Sequence, residues 1–208
     1  MRSLLIDTTT SNIIVSIIED NNILFEYKET IISDMSSKIL PIISNGLNSI
    51  NLKLKDIDKI FVSNGPGSFT GIRVGITVAK TIAWALKKEI VPISSLELMA
   101  TTPTNKKYLV PMIDARRGNV FAGIYDKNLN ILKEDKLINL NELSKDLNNE
   151  YEFISYDNIN LNNIVIPNVD VLKIINKHIN DSGINPHNIN PNYLKLTEAE
   201  EKLGNRND

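Results

Sequence analysis

Between Ser63 and Gly75 the chain reads Ser-Asn-Gly-Pro-Gly-Ser-Phe-Thr-Gly-Ile-Arg-Val-Gly. An apolar run precedes this string and a helical pattern follows it. A glycine-rich turn therefore feeds a helix N-terminus, whose free N–H groups and positive dipole end suit an anion such as phosphate. No Lys-Ser or Lys-Thr pair follows the glycines, which excludes a Walker A loop, and the spacing is not G-x-G-x-x-G. A tight strand-to-helix connection is the plain alternative. A second cluster, Asp7-Thr8-Thr9-Thr10-Ser11, puts a carboxylate at a strand end and hydroxyls in the turn after it. Such a turn can hold a metal-phosphate, or can simply satisfy its own backbone groups. Asp7, Thr8, Thr9, Thr10, Gly65 and Gly67 are the candidates for a vestigial nucleotide site. A third cluster, Asp114-Ala115-Arg116-Arg117-Gly118-Asn119, offers an Arg pair for phosphate or an Asp–Arg-stabilised hairpin turn. His178 and His187 are nine residues apart with no carboxylate motif around them, and the chain has no cysteine. No metal site is expected, and no catalytic triad or carboxylate pair is legible.

The elements that must position these residues follow from periodicity. Residues 2–7, 13–19 and 23–28 read as strands, the last two as a hairpin about Asp20-Asn21-Asn22. Residues 33–50 read as a helix capped by Ser33 or Asp34, with Pro41 expected to kink or break it. A strand at 59–63, a helix at 70–87 and a strand at 89–93 follow. Thr101 to Lys107 is the best linker candidate. Strands are expected at 108–113, 119–125, 129–138 and 152–155, and helices near 141–148 and 169–180. The charged tail 197–208 ends the chain. Three strands before the first helix disfavour a simple doubly wound fold, and no strict sequence repeat is visible.

Gly71, Gly75, Ala79 and Ala83 recur every four residues and lay small side chains along one helix face. The other faces are also apolar, so this helix is expected to be buried on more than one side, against its own sheet and against either the 33–50 helix or another chain. Of the 208 residues 42% are hydrophobic, no run approaches the roughly 20 apolar residues of a membrane span, and the net charge is −2. That balance gives no global pull toward RNA or an anionic membrane. Absence of a signal peptide pattern and of cysteine makes the cytoplasm the expected compartment.

The string from Gly65 to Gly75, with LLIDTTTS at 4–11, KILPII at 38–43, VPMIDARRGNVFAGIY at 110–125 and PNYLKLTEAE at 191–200, resembles the TsaB (formerly YeaZ) family of the actin-like ASKHA superfamily. The resemblance implies an α/β, actin-like (ASKHA, RNase H-like) two-lobed fold with mixed sheets flanked by helices. An N-terminal lobe over 1–101 and a smaller C-terminal lobe over 102–208 are expected. It further implies a non-catalytic subunit that supports a TsaD-type transferase in forming threonylcarbamoyladenosine in tRNA. A TsaE-like ATPase would join them, the tRNA contact would be indirect, and a homodimer of the isolated chain stays open. TsaD relatives hold a metal through a His-x-x-x-His pair on the first long helix, whereas the matching stretch here, Asp34 to Ile39, has no histidine. Met35 stands where most of the family keep one. Actin-like ATPases place a glycine in the first turn where Thr9 stands here. No cofactor is expected, and an active actin-like ATPase or phosphotransferase is the alternative. The family's dimer surface is made by the first two long helices, so Met35, Ile39, Ile42, Ile43, Gly71, Gly75, Val78, Ala79, Ile82 and Ala83 are the expected partner-binding residues.

Overall fold

The computed structural model describes residues 1–30, 34–145 and 147–194. The expectations for Ser33 as a cap, for residues 195–200 of the last family string and for the 197–208 tail lie outside them. The first sheet opens with β1 (Arg2–Asp7), β2 (Asn12–Glu19) and β3 (Asn22–Thr30) as an antiparallel meander. Asp20 takes the positive φ of 52° that its turn requires, a conformation Asp tolerates better than most residues. β4 (Lys59–Ser63) pairs parallel with β1, and β5 (Ile90–Ile93) parallel with β4, giving the order β3-β2-β1-β4-β5.

Both faces of this sheet are covered at β2, β1, β4 and β5, which is why these strands read as apolar runs rather than alternations, while the edge strand β3 stays largely exposed. Leu4, Ile6, Ile60 and Val62 face α1 (Met35–Ser49) and α2 (Phe69–Leu86). Their neighbours Leu5, Phe61 and Val91 face the opposite way, into a core shared with α3 (Ser95–Met99) and with the second sheet. The second sheet contains β6 (Tyr108–Asp114), β7 (Asn119–Asp126), β8 (Ile131–Asn139), β9 (Tyr151–Ile154) and β10 (Ile164–Val165), in the order β10-β9-β6-β7-β8. α4 (Leu140–Lys145) covers its outer face, and α5 (Val171–His178) joins the shared core.

The two sheets repeat one pairing scheme. In each, the first strand runs antiparallel to the second and parallel to the fourth, and the fourth runs parallel to the fifth. Asp7 and Asp114 close the equivalent first strands. The repeat exists in hydrogen-bond topology, so it left no repeat in the residues.

After α5 the chain turns back as a strap over the first sheet. Lys59 donates to the carbonyls of Ile179 and Asp181, Ile184 exchanges two backbone hydrogen bonds with Ile90, and Ile189 is buried in the core under α2. Asn192 N–H donates to Asn64 O at 2.7 Å. The C-terminal run therefore does not stay with the second sheet.

Other differences from expectation are local. α1 passes Pro41 without interruption, and Asp34 sits at its start with φ 59° and no side-chain cap. α3 and β10 were not expected; Ser94 caps α3 by accepting from the N–H groups of Leu96 and Glu97. Thr101 and Thr102, expected in a linker, are buried, and their hydroxyls accept from the N–H groups of Asp170 and Asn168.

Candidate functional site

β4 delivers the chain to the Asn64–Ser68 turn, and Ser68 caps α2 by accepting from the N–H of Gly71 at 3.2 Å. The Asp7–Thr10 turn lies directly on this helix start. Thr9 O accepts from the N–H of Ser68 at 2.7 Å, and Thr8 Oγ1 donates to Gly71 O at 2.7 Å. The glycines make room for that contact. A Cβ on Gly67 would stand under 3.0 Å from Thr9 O, on Gly71 under 3.0 Å from Thr8 O, and on Gly75 under 3.0 Å from Thr8 Oγ1. Gly65, at φ 117°, faces the carbonyl of Asn192 in the strap. The close approach that a phosphate-binding turn reserves for a ligand is used here for the chain's own backbone.

Asp7 is 3% exposed and accepts from Thr9 N–H at 2.9 Å and from Thr9 Oγ1 at 2.7 Å. Burial raises its carboxyl above the ordinary range, against the lowering effect of the Thr9 bonds. Burial and the Asp7 charge likewise raise the Tyr156 hydroxyl. Asp7, Thr8, Thr9 and Gly67 are thus brought together, while Thr10 turns to Asn12 and Gly65 to the strap. Asp7, Thr8, Thr9 and Thr10 are all buried, and Thr8 and Thr9 bond directly to the α2 start.

The small-residue stripe faces inward, toward the chain's own sheet and the Thr8–Thr9 turn. Gly71, Gly75, Ala79, Ile82 and Ala83 on α2, and Ile39 and Ile43 on α1, are buried in the chain's own core. Seven of the ten residues expected to bind a partner are therefore buried within the chain, two of them, Ile43 and Ile82, at the floor of a surface cavity. Met35, Ile42 and Val78 are half-buried and remain on the surface side. By length and hydropathy α2 meets the minimum for a membrane span, but these contacts place its apolar stripe against the protein's own sheet.

What faces outward is a different line, Thr70, Arg73, Thr77, Thr81 and Trp84, spaced three or four residues apart. It runs beside Val74 and Val78, which border α1. Phe69, Thr70, Arg73, Val74, Thr77, Val78 and Ser36 line a cavity of about 440 Å³ between the helices. A second, of about 370 Å³, is lined by Leu40, Ile43, Ser44, Leu47 and Ile82. At the rim, Phe69 stacks on Tyr193 of the strap at 4.9 Å, and the Arg73 guanidinium lies 3.8 Å over Phe69 while donating to the Tyr193 hydroxyl. This line carries no carboxylate and ends in the exposed Trp84 indole.

The third motif forms a hairpin turn in which Asp114 accepts from Arg116 N–H and pairs with the Arg116 guanidinium at 3.3 Å. That guanidinium is largely exposed, so the pair contributes about 0–1 kcal/mol. His178, framed by no carboxylate motif in the sequence, bridges two carboxylates in the fold: Glu97 at 3.0 Å and Asp181 at 2.6 Å. Among the described residues no group of three His, Cys, Asp or Glu converges as a metal site.

Comparison with known proteins decides the family. Residues 29–190 match the family described as "TsaD: tRNA N6-adenosine threonylcarbamoyltransferase". The TsaB protein of Buchnera aphidicola subsp. Schizaphis graminum is 31% identical over 147 residues, covering 67% of this chain and 70% of the relative. The chain belongs to the TsaB family. Bacillus subtilis TsaB is 35% identical over 135 residues, covering 64% of this chain and 59% of the relative. With that relative and with Escherichia coli TsaB, of which 57% is matched, the shared region is a little under two thirds of the relative's length. The solved structure of YeaZ from Pseudomonas aeruginosa superposes with a TM-score of 0.79 at 20% identity, over 93% of this chain and 99% of that one. The fold of this TsaB-family chain is accordingly actin-like.

Proposed function

We propose that the chain is a non-catalytic subunit in the biosynthesis of tRNA threonylcarbamoyladenosine in the cytoplasm, and that it docks a TsaD-type transferase through the surface of α1 and α2 around Val74, Val78 and Leu40. The observation that carries this reading is the pair of surfaces on α2. Its inner face is occupied by the Thr8–Thr9 turn, which takes the N–H of Ser68 and the open space at Gly67, Gly71 and Gly75. Its outer face at Val74 and Val78, with Leu40 of α1 beside it, borders shallow apolar cavities that the described residues leave open apart from the Phe69–Tyr193 stack at one rim. Apolar surface of this kind marks protein contact. A transferase partner is favoured because its own family model matches this chain over both helices, so each protein would present a related helix pair to the other. A TsaE-like ATPase completes the proposed assembly, with tRNA held mainly by other subunits.

Co-purification of the chain with its TsaD-like protein, followed by a reconstituted modification reaction with and without the chain, tests this. Modification at full rate without the chain would remove the reading. The second reading, an ATPase or phosphotransferase using Asp7 and Thr10, requires a charged, accessible Asp7, and burial opposes both. Calorimetry with ATP and magnesium separates the two: turnover by the lone chain favours the second.

A further inference from the structure

At the C-terminal end of α2, Trp84 stands 66% exposed. It walls a cavity of about 540 Å³ whose other lining residues include Lys87, Lys88, Asn185 and His187. That volume falls in the range of small-ligand sites. Lys59, Lys80 and Lys106 spend their ammonium groups on backbone carbonyls. Among the described residues, Lys87 and Lys88 have no such partner. Glu89 is the one carboxylate lining the cavity, so the cations prevail locally although the chain as a whole carries −2. Two lysines also exceed the half-unit negative charge of a helix C-terminus. An exposed indole beside unpaired cations is the combination that binds single-stranded nucleic acid, the ring stacking a base and the ammonium groups taking the phosphates.

We propose that this patch is a direct contact for an unpaired segment of tRNA, with a base stacked on Trp84 and flanking phosphates on Lys87 and Lys88. The proposal rests on the chain's place in tRNA modification and not on the α1–α2 docking face. Charge favours RNA over a protein partner here, because the patch is cationic where the neighbouring docking face is apolar and hydroxyl-bearing.

Trp84 is the chain's sole tryptophan, so its fluorescence reports this patch alone. The full chain is titrated with unmodified tRNA, with a short unpaired oligoribonucleotide and with the purified TsaD-like protein. Both RNAs should quench Trp84, with a midpoint that rises steeply with salt. Read by anisotropy of labelled RNA, Trp84→Ala should weaken binding roughly tenfold, since stacking contributes on the order of 1–3 kcal/mol per base. Trp84→Phe should retain much of the affinity. The double variant Lys87→Gln/Lys88→Gln should lower the salt slope by about 2. Circular dichroism confirms that each variant is folded. Quenching by the protein and not by RNA would assign the patch to a protein contact and overturn the proposal, as would no response to either. A normal RNA response with failed transferase co-purification would count against the docking face alone.

Discussion

The Cα of Gly71 packs against the carbonyl oxygen of Thr8, with no room for a Cβ between them. This contact and the Gly75–Thr8 contact beside it make the glycine string a lock between the first hairpin and the second long helix.

Gly71→Ala should therefore destabilise the protein although alanine is the better helix former. Propensity favours the change by about 1 kcal/mol, while forcing a methyl against backbone costs about 1–3 kcal/mol or more. Thermal denaturation should show a lower midpoint by several degrees. An unchanged or raised midpoint would mean that the turn yields easily.

Two arginine substitutions on one helix should separate by face. Gly75→Arg points into the Thr8 and Val62 side chains and should abolish the cooperative unfolding transition. Val78→Arg sits at the half-buried border with α1 and should leave circular dichroism intact while weakening transferase binding on the order of a hundredfold, because an unpaired charge buried in an interface costs several kcal/mol. Normal binding by a folded Val78→Arg would move the docking face elsewhere.

The Glu97–His178 pair predicts a stability maximum in mildly acidic solution. The Glu97 bond, offset by burial and aided by Asp181, raises His178 above 6.5. Stability from His178 is complete below 6.5 and is lost as pH rises through the elevated folded value. Burial works to raise Glu97, but its bonds to His178 and Lys177 hold it below 4.5. Its contribution is complete above 4.5 and is lost as pH falls through the depressed value. Denaturant midpoints should peak between roughly 4.5 and 6.5, and His178→Gln should flatten the alkaline limb. A slope unchanged in that variant would assign the titration to another group.

Asp7→Asn should be neutral or stabilising at pH 7. Burial disfavours the charge, so the wild-type carboxyl loses stability as pH rises from 3.8 through its elevated folded value, and the amide does not. Asn Oδ1 can accept the same two Thr9 bonds, and the buried Ser63 hydroxyl beside the carboxyl can accept from the Asn amide. A loss of more than about 1 kcal/mol in chemical denaturation would show that the carboxylate is needed in ionised form.

Most strands and both long helices were legible because their burial is continuous or periodic. The direction of the small-residue stripe was not. Gly71 and Gly75 signal close approach, but nothing in their spacing says whether the approaching backbone belongs to Thr8 or to another chain. α3 is five residues long, too short for a period, although Ser94, Ser95 and Glu97 carry capping chemistry. The strap was illegible because its ties run through backbone carbonyls and Asn side chains, which have no hydrophobic rhythm. Trp84 belongs to the other apolar faces of a helix expected to be buried on more than one side, and only the structure distinguishes its face from that of Ala83.

The strap also sets an order of events during synthesis. Ile189 fills the core beneath α2, yet it leaves the ribosome some hundred residues after β5. At ordinary elongation rates of about 5–20 residues per second, the first sheet waits roughly 5–20 s with that part of its core open. During this interval the growing chain must keep its first half from sticking to neighbours, and the half made first is the half that is finished last.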